Sequence, residues 1–495
     1  MDPLTLQERV STIAQTTTDL VDKLRQVGDP EPSFEHGLPP SLQTNACAGG
    51  STAAAALRLR LLQQVDELRA VLTEPALLLT PEMQNPSLSG HAIVRLGIAE
   101  SFPPEGTTVT ALAQKLRLRE DLVRRLLAHS ATYHVYYESE PDRFVHTAAS
   151  RLLAENPGMR DWIRLGCEEL LPATMQIANA ILRYPSSEEP KHCGWNIQNQ
   201  TSEPIFRALA GMPDRASLFA RAMSWHAREP GFSPRYLAEA FPWQSTSTLL
   251  DPAREQSAVG SPDDACDPTS PHSKPFTIVD MGGGLGHISQ ALLAHHLRLS
   301  EAEGHDHGTQ QSCPSQHEHD NNQGEYSARR PRRRSVQCIV QDAAQVVSQA
   351  ISTAQAQPAT DASRTVEPRI EFQAHDFFHE QPVKGADVYL LRLVLHDWSD
   401  KYALQILRAL IPALQPGAKV VVNDRVVPGR HEVHYLVERE ARDYDMYMMA
   451  FQNAKERTLE DWTALFGAAD ARFGWPAVHR PVGSGLAVLE FTWEG

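Results

Sequence analysis

The sequence predicts an α/β protein in which a doubly wound sheet domain follows a helical region that carries a winged helix-turn-helix. Three observations predict it. From Phe276 to Gly495, β-rich apolar runs alternate with helical segments, the order of a parallel sheet with crossover helices. The first of these runs, FTIVDM, passes into MGGGLGH before a helix begins, as in Rossmann-like domains that hold a cofactor at a glycine-rich turn. The fourth, LRLVLHDWSD (391–400), ends in a histidine, two aspartates and a tryptophan, and open α/β sheets bind ligands outside the carboxyl ends of their strands.

Length and charge set the frame. With 495 residues the chain exceeds one ordinary hydrophobic core and divides into several units. Lys+Arg 46 against Asp+Glu 61 gives a net charge of −15, which disfavours general affinity for nucleic acid or anionic membrane and favours small-molecule or protein partners. No apolar run approaches the roughly twenty residues that a bilayer requires, and MDPLTLQERV lacks the basic-then-apolar order of a secretory signal. A cytoplasmic protein is expected. Cys47, Cys167, Cys193, Cys266, Cys313 and Cys338 form no CxxC pair, so reduced thiols are expected, with neither a disulfide framework nor a zinc ribbon.

In chain order, residues 1–90 read as N-terminal helices and a linker. LTLQERVSTIAQTTTDLVDKLRQV has helical spacing, DPEPSFEHGLPPS reads as a tether, and STAAAALRLRLLQQVDELRAVL is helical again. Residues 91–155 form the winged helix: HAIVRLGIAESF, TVTALAQKLRL and LREDLVRRLLAHSATY as three helices, then VYYESEPDRFVHT as a hairpin turning at Pro141-Asp142. Arg117, Arg119, Arg124 and Arg125 give a DNA-binding reading some support, while the overall acidity favours a packing or dimerisation module. Residues 156–243 read as a helical connector that forms part of a substrate pocket, and 244–275 as a flexible polar loop. The sheet domain occupies 276–495, with a low-complexity insert at 303–335 that is expected to be disordered. The HDH and HEH pairs and the arginine run of that insert are weak metal and anion signals.

The chemistry concentrates at strand ends. Asp280-x-Gly282-x-Gly284-x-Gly286 lets the backbone turn tightly and approach a ligand at a helix N-terminus, which implies a nucleoside-containing cofactor. Asp342 closes the second strand, CIVQD, where a ribose-binding acid belongs. The third, IEFQAHDFF, brings Asp376 and Phe377 to a place where a carboxylate and a ring could hold an adenine.

From about His91 onward, through VDMGGG, QD, HDFF, LRLVLHDWSD, VVVND and AKERTLEDW, the chain resembles the plant caffeate-type and fungal secondary-metabolite O-methyltransferases. These are class I, cation-independent enzymes that use S-adenosyl-L-methionine. The resemblance implies that Gly282, Gly283 and Gly284 lie beside the methionine part of the cofactor, Asp342 on the ribose, and Asp376 and Phe377 at the adenine. Trp398 would lie nearby, and Arg392 stands where many relatives have lysine. It also implies His396 as general base, flanked by Asp424 and Glu456, with no metal required. Asp424 departs from the glutamate common in the family.

Imidazole has a reference pKa near 6.5 and a phenol near 10, so the proton transfer is uphill and needs a carboxylate on the far ring nitrogen. The substrate pocket is expected to include Phe219, Met223 and His226 on one helix and Met448, Met449 and Gln452 on another. The expected activity is methyl transfer to a hydroxyl of an aromatic small molecule, of polyketide type, in a homodimer formed through the N-terminal domain. Two other functions remain compatible with the sequence: a non-methylating relative (scaffold, cyclase or hydroxylase partner) and a winged-helix DNA-binding regulator.

Overall fold

The computed structural model describes residues 4–42, 52–79, 85–241, 275–305, 335–356 and 369–495. The expected loop 244–275 and insert 303–335 fall outside the described residues, apart from Pro275, the helix end at His305 and Ser335.

A seven-stranded sheet organises the C-terminal half. Its strands are β4 (Phe276–Met281), β5 (Val336–Asp342), β6 (Ile370–Ala374), β7 (Val388–Arg392), β8 (Lys419–Asp424), β9 (Ala477–His479) and β10 (Ala487–Thr492), in the order β6-β5-β4-β7-β8-β10-β9. All six residues of β4 are buried, as a central strand covered on both faces requires. Alternate residues serve the two layers. Val279, Met281, Tyr389 and Leu391 pack with helices Asp400–Leu410 and Leu459–Ala469, whereas Ile278, Leu390 and Val421 pack with Leu237, Leu292 and Leu293.

The structure corrects the expected sheet in two places. The pairings among β6, β5, β4, β7 and β8 are parallel, but β10 runs antiparallel to both β8 and β9. Hydrophobic alternation carries no strand direction, and β9 is a three-residue strand with no fully buried side chain. In addition, the apolar run read as a strand to Leu395 stops at Arg392. Leu393 adopts φ +51° and a 3-10 turn, Leu395–Asp397, follows.

In the N-terminal half, helix Leu6–Val27 starts on a Thr5/Glu8 capping box and packs against helix Ala53–Leu72 around Leu20, Leu24, Leu42 and Ala54. The segment read as a tether, 29–41, is packed down at Phe34. The Phe34 ring stacks on His134 at 4.3 Å, and Phe34 O accepts from Ala148 N at 2.8 Å. Next come helices Ser87–Arg95, Ile98–Ser101, Val109–Leu116 and Glu120–Thr132. The first expected helix is thus split, because Gly97 takes φ +69°. Strands β1 (Thr107–Thr108), β2 (Tyr136–Glu140) and β3 (Arg143–His146) form a small sheet in the order β1-β3-β2. Of the arginines noted above, Arg119 pairs with Asp121 and Arg124 with Asp142. Among the described residues, no helix is long and apolar enough to cross a membrane.

Candidate active site

The glycine turn lies between β4 and helix His287–His305. Gly282, Gly284 and Gly286 have φ of +73°, +58° and +79°, values that L side chains adopt only under strain. A Cβ on Gly282 would lie 2.8 Å from Val394 Cγ2, and one on Gly283 would lie 2.7 Å from the Asp280 carboxyl carbon, whereas a Cβ on Gly284 would have no atom within 4 Å. Gly282 and Gly283 are therefore closed in by the fold, and Gly284 faces open room. Behind the turn, burial pushes the Asp280 carboxyl up to about 6, opposed by the hydrogen bond that Ser289 Oγ donates at 2.8 Å. Asp342, at the end of β5, accepts from Gly284 N at 2.9 Å and from Ala343 N at 2.7 Å.

Asp376 follows β6 and is exposed. It accepts from Phe378 N at 3.0 Å and lies 3.2 Å from His379 Nδ1. His375 N donates to Asp342 O at 3.0 Å, so this turn is tied to the strand end that carries the acid. Phe377 and Phe378 meet Trp398 edge to face, with ring centroids 6.0 and 4.8 Å apart. Arg392 ends β7 and is half-buried. Its guanidinium donates to Asn423 Oδ1 and to Phe232 O, joining β7 to β8 and to the Pro230–Phe232 turn. Burial lowers its pKa to about 10.

Strand β7, the left-handed Leu393 and the following turn bring His396 to the carboxyl edge of the sheet, and β8 ends beside it at Asp424. His396 Nδ1 is 3.2 Å from Glu456 Oε1 and 3.6 Å from Asp424 Oδ1, and Nε2 is 3.6 Å from Asp397 Oδ1. Both flanking acids are buried, and one oxygen of each, Asp424 Oδ2 and Glu456 Oε2, has no hydrogen-bond partner among the described residues. One ring nitrogen of His396 and one carboxylate oxygen each of Asp424 and Glu456 lie within 4.8 Å of one another. With the ring protonated, Nδ1–H occupies the space between the two carboxylates.

Burial opposes charge on His396, but Asp424, Asp397 and Glu456 outweigh it and push the ring up to about 10. Burial raises Asp424 to about 6 against the pull of His396. Glu456 is lowered despite its burial, because His396, Arg425 and Arg457 favour its charge. Arg457 is fully buried and holds the turn from behind, donating to Leu395 O and Trp398 O at 2.8 Å each and to Asp400.

A cavity of about 310 Å³ opens at His396. Phe219, Met223 and His226, from helix Pro213–His226, and Met448 and Gln452, from helix Tyr435–Gln452, line it together. Met449 does not. Sequence reasoning left out Trp162, Asp397, Arg425, Tyr444 and Tyr447, which also face it. Tyr444, Tyr447, Met448 and Phe451 recur at three- and four-residue spacing, a signal that was available for one helix face. Asp397 was visible in the quoted motif, and Gln452 Nε2 donates to it at 2.7 Å.

The family model for the O-methyltransferase domain matches residues 332–472, a span that contains β5 to β8 and all three members of the His396 cluster. The O-methyltransferase kk1A of Curvularia clavata is 30% identical over 100% of this chain and 99% of its own. The chain belongs to the O-methyltransferase family. A second relative, the grayanic acid biosynthesis cluster O-methyltransferase of Cladonia grayi, is 29% identical over 98% of this chain and 87% of its own. The crystal structure of OxaC in complex with SAH and oxaline shares the fold, with TM-score 0.65 and 17% identity over 98% of this chain and 99% of that one.

This O-methyltransferase uses S-adenosylmethionine, and the residues present fit that cofactor. Open room lies in front of Gly284, a carboxylate stands at the end of β5, and an aromatic wall runs from Phe377 to Trp398.

Proposed function

We propose that the protein methylates a hydroxyl of an aromatic, polyketide-type secondary metabolite, with His396 as general base. The observation that carries this reading is the geometry of His396. Its Nδ1 lies 3.2 Å and 3.6 Å from two buried carboxylates, while the ring lines a cavity that is otherwise mostly carbon. Glu456 accepts from Nδ1, which fixes the tautomer and leaves Nε2 to receive the hydroxyl proton. Asp424 acts on the ring through space. Bound at the glycine turn, S-adenosylmethionine supplies an electrophilic methyl group. The protein's own part is to hold the acceptor oxygen in line, exclude water and take up its proton.

In this reading Gly282, Gly283, Gly284 and Asp342 hold the methionine and ribose parts, and Asp376 and Phe377 flank the adenine. Arg392, the remaining cofactor candidate, ties β7 to β8 and to the Pro230–Phe232 turn. Phe219, Met223, His226, Met448 and Gln452 surround the acceptor. The division into 1–90, 91–155, 156–243 and 276–495 belongs to the same proposal, as do a cytoplasmic location and a homodimer formed through the N-terminal region. Exposed Leu62, Val65, Val71, Leu72, Leu77 and Leu79 support the dimer.

The test is methyl transfer from labelled S-adenosylmethionine to phenolic polyketides, comparing the wild type with His396→Ala. Labelled product with the wild type and a loss of two to four orders of magnitude in the variant are expected. Equal rates in the two proteins would exclude His396 as the base. Cofactor binding with no transfer to any phenol would favour the non-methylating reading.

A further inference from the structure

Resting on that reading, we propose that Glu169 is a positioning residue that fixes one wall of the acceptor cavity and so limits the size of the substituents an acceptor can carry. Two helical segments build that wall. Helix Pro157–Leu165 runs into a π turn, Gly166–Leu170, after which Leu171 N donates to Gly166 O, five residues back. Leu165 and Leu170 both line the cavity. In an unbroken α-helix, residues five apart point about 140° away from each other. The wider i→i+5 turn brings them towards one face, and such turns inside helices are frequent at functional sites. Helix Pro213–His226 adds Phe219 and Met223 to the same cavity.

The two segments run antiparallel and are held differently at their two ends. At one end a Cβ on Gly158 would come 2.3 Å from Trp225 Cδ1, so the helices already touch there. Next to that contact, Arg221 forks onto the buried Asp161, Nε to Oδ2 at 2.7 Å and Nη2 to Oδ1 at 3.0 Å. At the other end the link passes through the π turn. Arg215 Nε donates to Glu169 Oε1 and Nη2 to Oε2, each at 2.6 Å, and Trp195 Nε1 donates to Oε2 at 2.8 Å. Glu169 is buried, and a two-bond fork of this kind fixes orientation as well as distance. A Cβ on Gly166, in the same turn, would have no atom within 4 Å. Close packing therefore sets the Gly158 end, whereas the place of the π turn depends on the Glu169 fork. Glu169 directly precedes Leu170, and Arg215 stands one helical turn before Phe219, so the fork holds two cavity-lining side chains at a set separation.

The experiment compares 5-methylresorcinol with 5-pentylresorcinol, which share the reacting ring, and reads the long-to-short ratio of kcat/KM in the wild type, Glu169→Gln, Arg215→Lys and Asp161→Asn. Glu169→Gln keeps the shape and an acceptor for Trp195 but loses the charged fork. It is expected to raise the ratio about tenfold, the lower end of the range for a changed fit of apolar groups in a pocket. Arg215→Lys, which keeps the charge but not the fork, is expected to raise it less and serves if the glutamine variant does not fold. Asp161→Asn breaks a fork of the same kind where Gly158 and Trp225 already hold the helices together, and is expected to leave the ratio at the wild-type value. A ratio unchanged in Glu169→Gln while both rates fall together overturns the proposal, because that pattern means Glu169 only stabilises the fold. So does an equal rise in Asp161→Asn, which would mean a general loosening of the helix pair. Binding of both phenols to protein loaded with S-adenosylhomocysteine gives the same ratio without turnover. Absence of methyl transfer then refutes the proposed reaction, while the binding ratio alone decides the role of Glu169; failure of both phenols to bind overturns the two together.

Discussion

Replacing Asp424 with asparagine removes one charge from the His396 cluster with little change of shape, and the structure sets the size of the effect. Asp424 Oδ1 lies 3.6 Å from His396 Nδ1. At an effective dielectric near 20, that separation corresponds to about 4–5 kcal/mol, or roughly three pKa units. The ring, held at about 10 in the wild type, is expected to fall towards ~7 in Asp424→Asn. Because the folded-state pKa is raised, the charged ring persists through neutral pH in the wild type and is lost only as pH climbs towards 10. In the variant that loss moves to near-neutral pH. The assay is NMR titration of ring-labelled histidine in the cofactor-free protein, with His396→Ala identifying the signal, alongside the pH profile of kcat/KM. The acceptor chosen should have a hydroxyl that titrates far from both limbs. An unchanged His396 titration in Asp424→Asn would refute the electrostatic reasoning. A shifted titration with an unmoved rate profile would show instead that His396 is not the group whose ionisation limits turnover.

Two substitutions in the glycine turn separate fold from cofactor site. Gly282→Ala combines a left-handed φ with a Cβ 2.8 Å from Val394 Cγ2, and should lower stability by about 1–2 kcal/mol from backbone strain alone, plus the cost of moving Val394. Gly284→Ala carries the strain without the clash, so melting should show the smaller loss, while calorimetry should show weakened S-adenosylmethionine binding in both; the reverse order of melting temperatures would contradict the packing described. Arg457→Lys loses the fork that spans Leu395 O, Trp398 O and Asp400. It should destabilise the protein by about 2–3 kcal/mol and lower kcat more than it raises KM, as measured by denaturant unfolding and steady-state kinetics.

Local features were legible in the sequence wherever one segment suffices to create them. FTIVDM reads as a buried strand because all six side chains are enclosed, and the glycines after it mark left-handed backbone. The grouping of His396 with Asp424 and Glu456 came from motif resemblance, and the structure brings all three together. Features made by distant segments were not legible. Arg425 gains its place from Tyr444 and Phe232, one on a later helix and the other nearly two hundred residues earlier in the chain. The antiparallel β10 pairs with β8 across a return path that alternation does not encode. Met448 and Met449 are neighbours in sequence, yet helix rotation brings only Met448 to the cavity.

The departure at Asp424 acquires a physical meaning from the distances. The shorter side chain leaves its oxygen 3.6 Å from the ring, while Glu456 reaches to 3.2 Å, so one acid orients His396 and the other mainly raises its basicity. The expected uphill transfer from a phenol of pKa about 10 to an imidazole of about 6.5 becomes nearly level once the ring stands at about 10. The same shift keeps the ring protonated at neutral pH. In the proposed reaction, an acceptor that arrives as its anion therefore meets an imidazolium and needs no transfer, whereas a neutral phenol must wait for the ring to lose its proton. The cluster thus favours acidic hydroxyls. Asp424→Asn should relax this preference, so the rate on weakly acidic phenols relative to strongly acidic ones should rise in that variant.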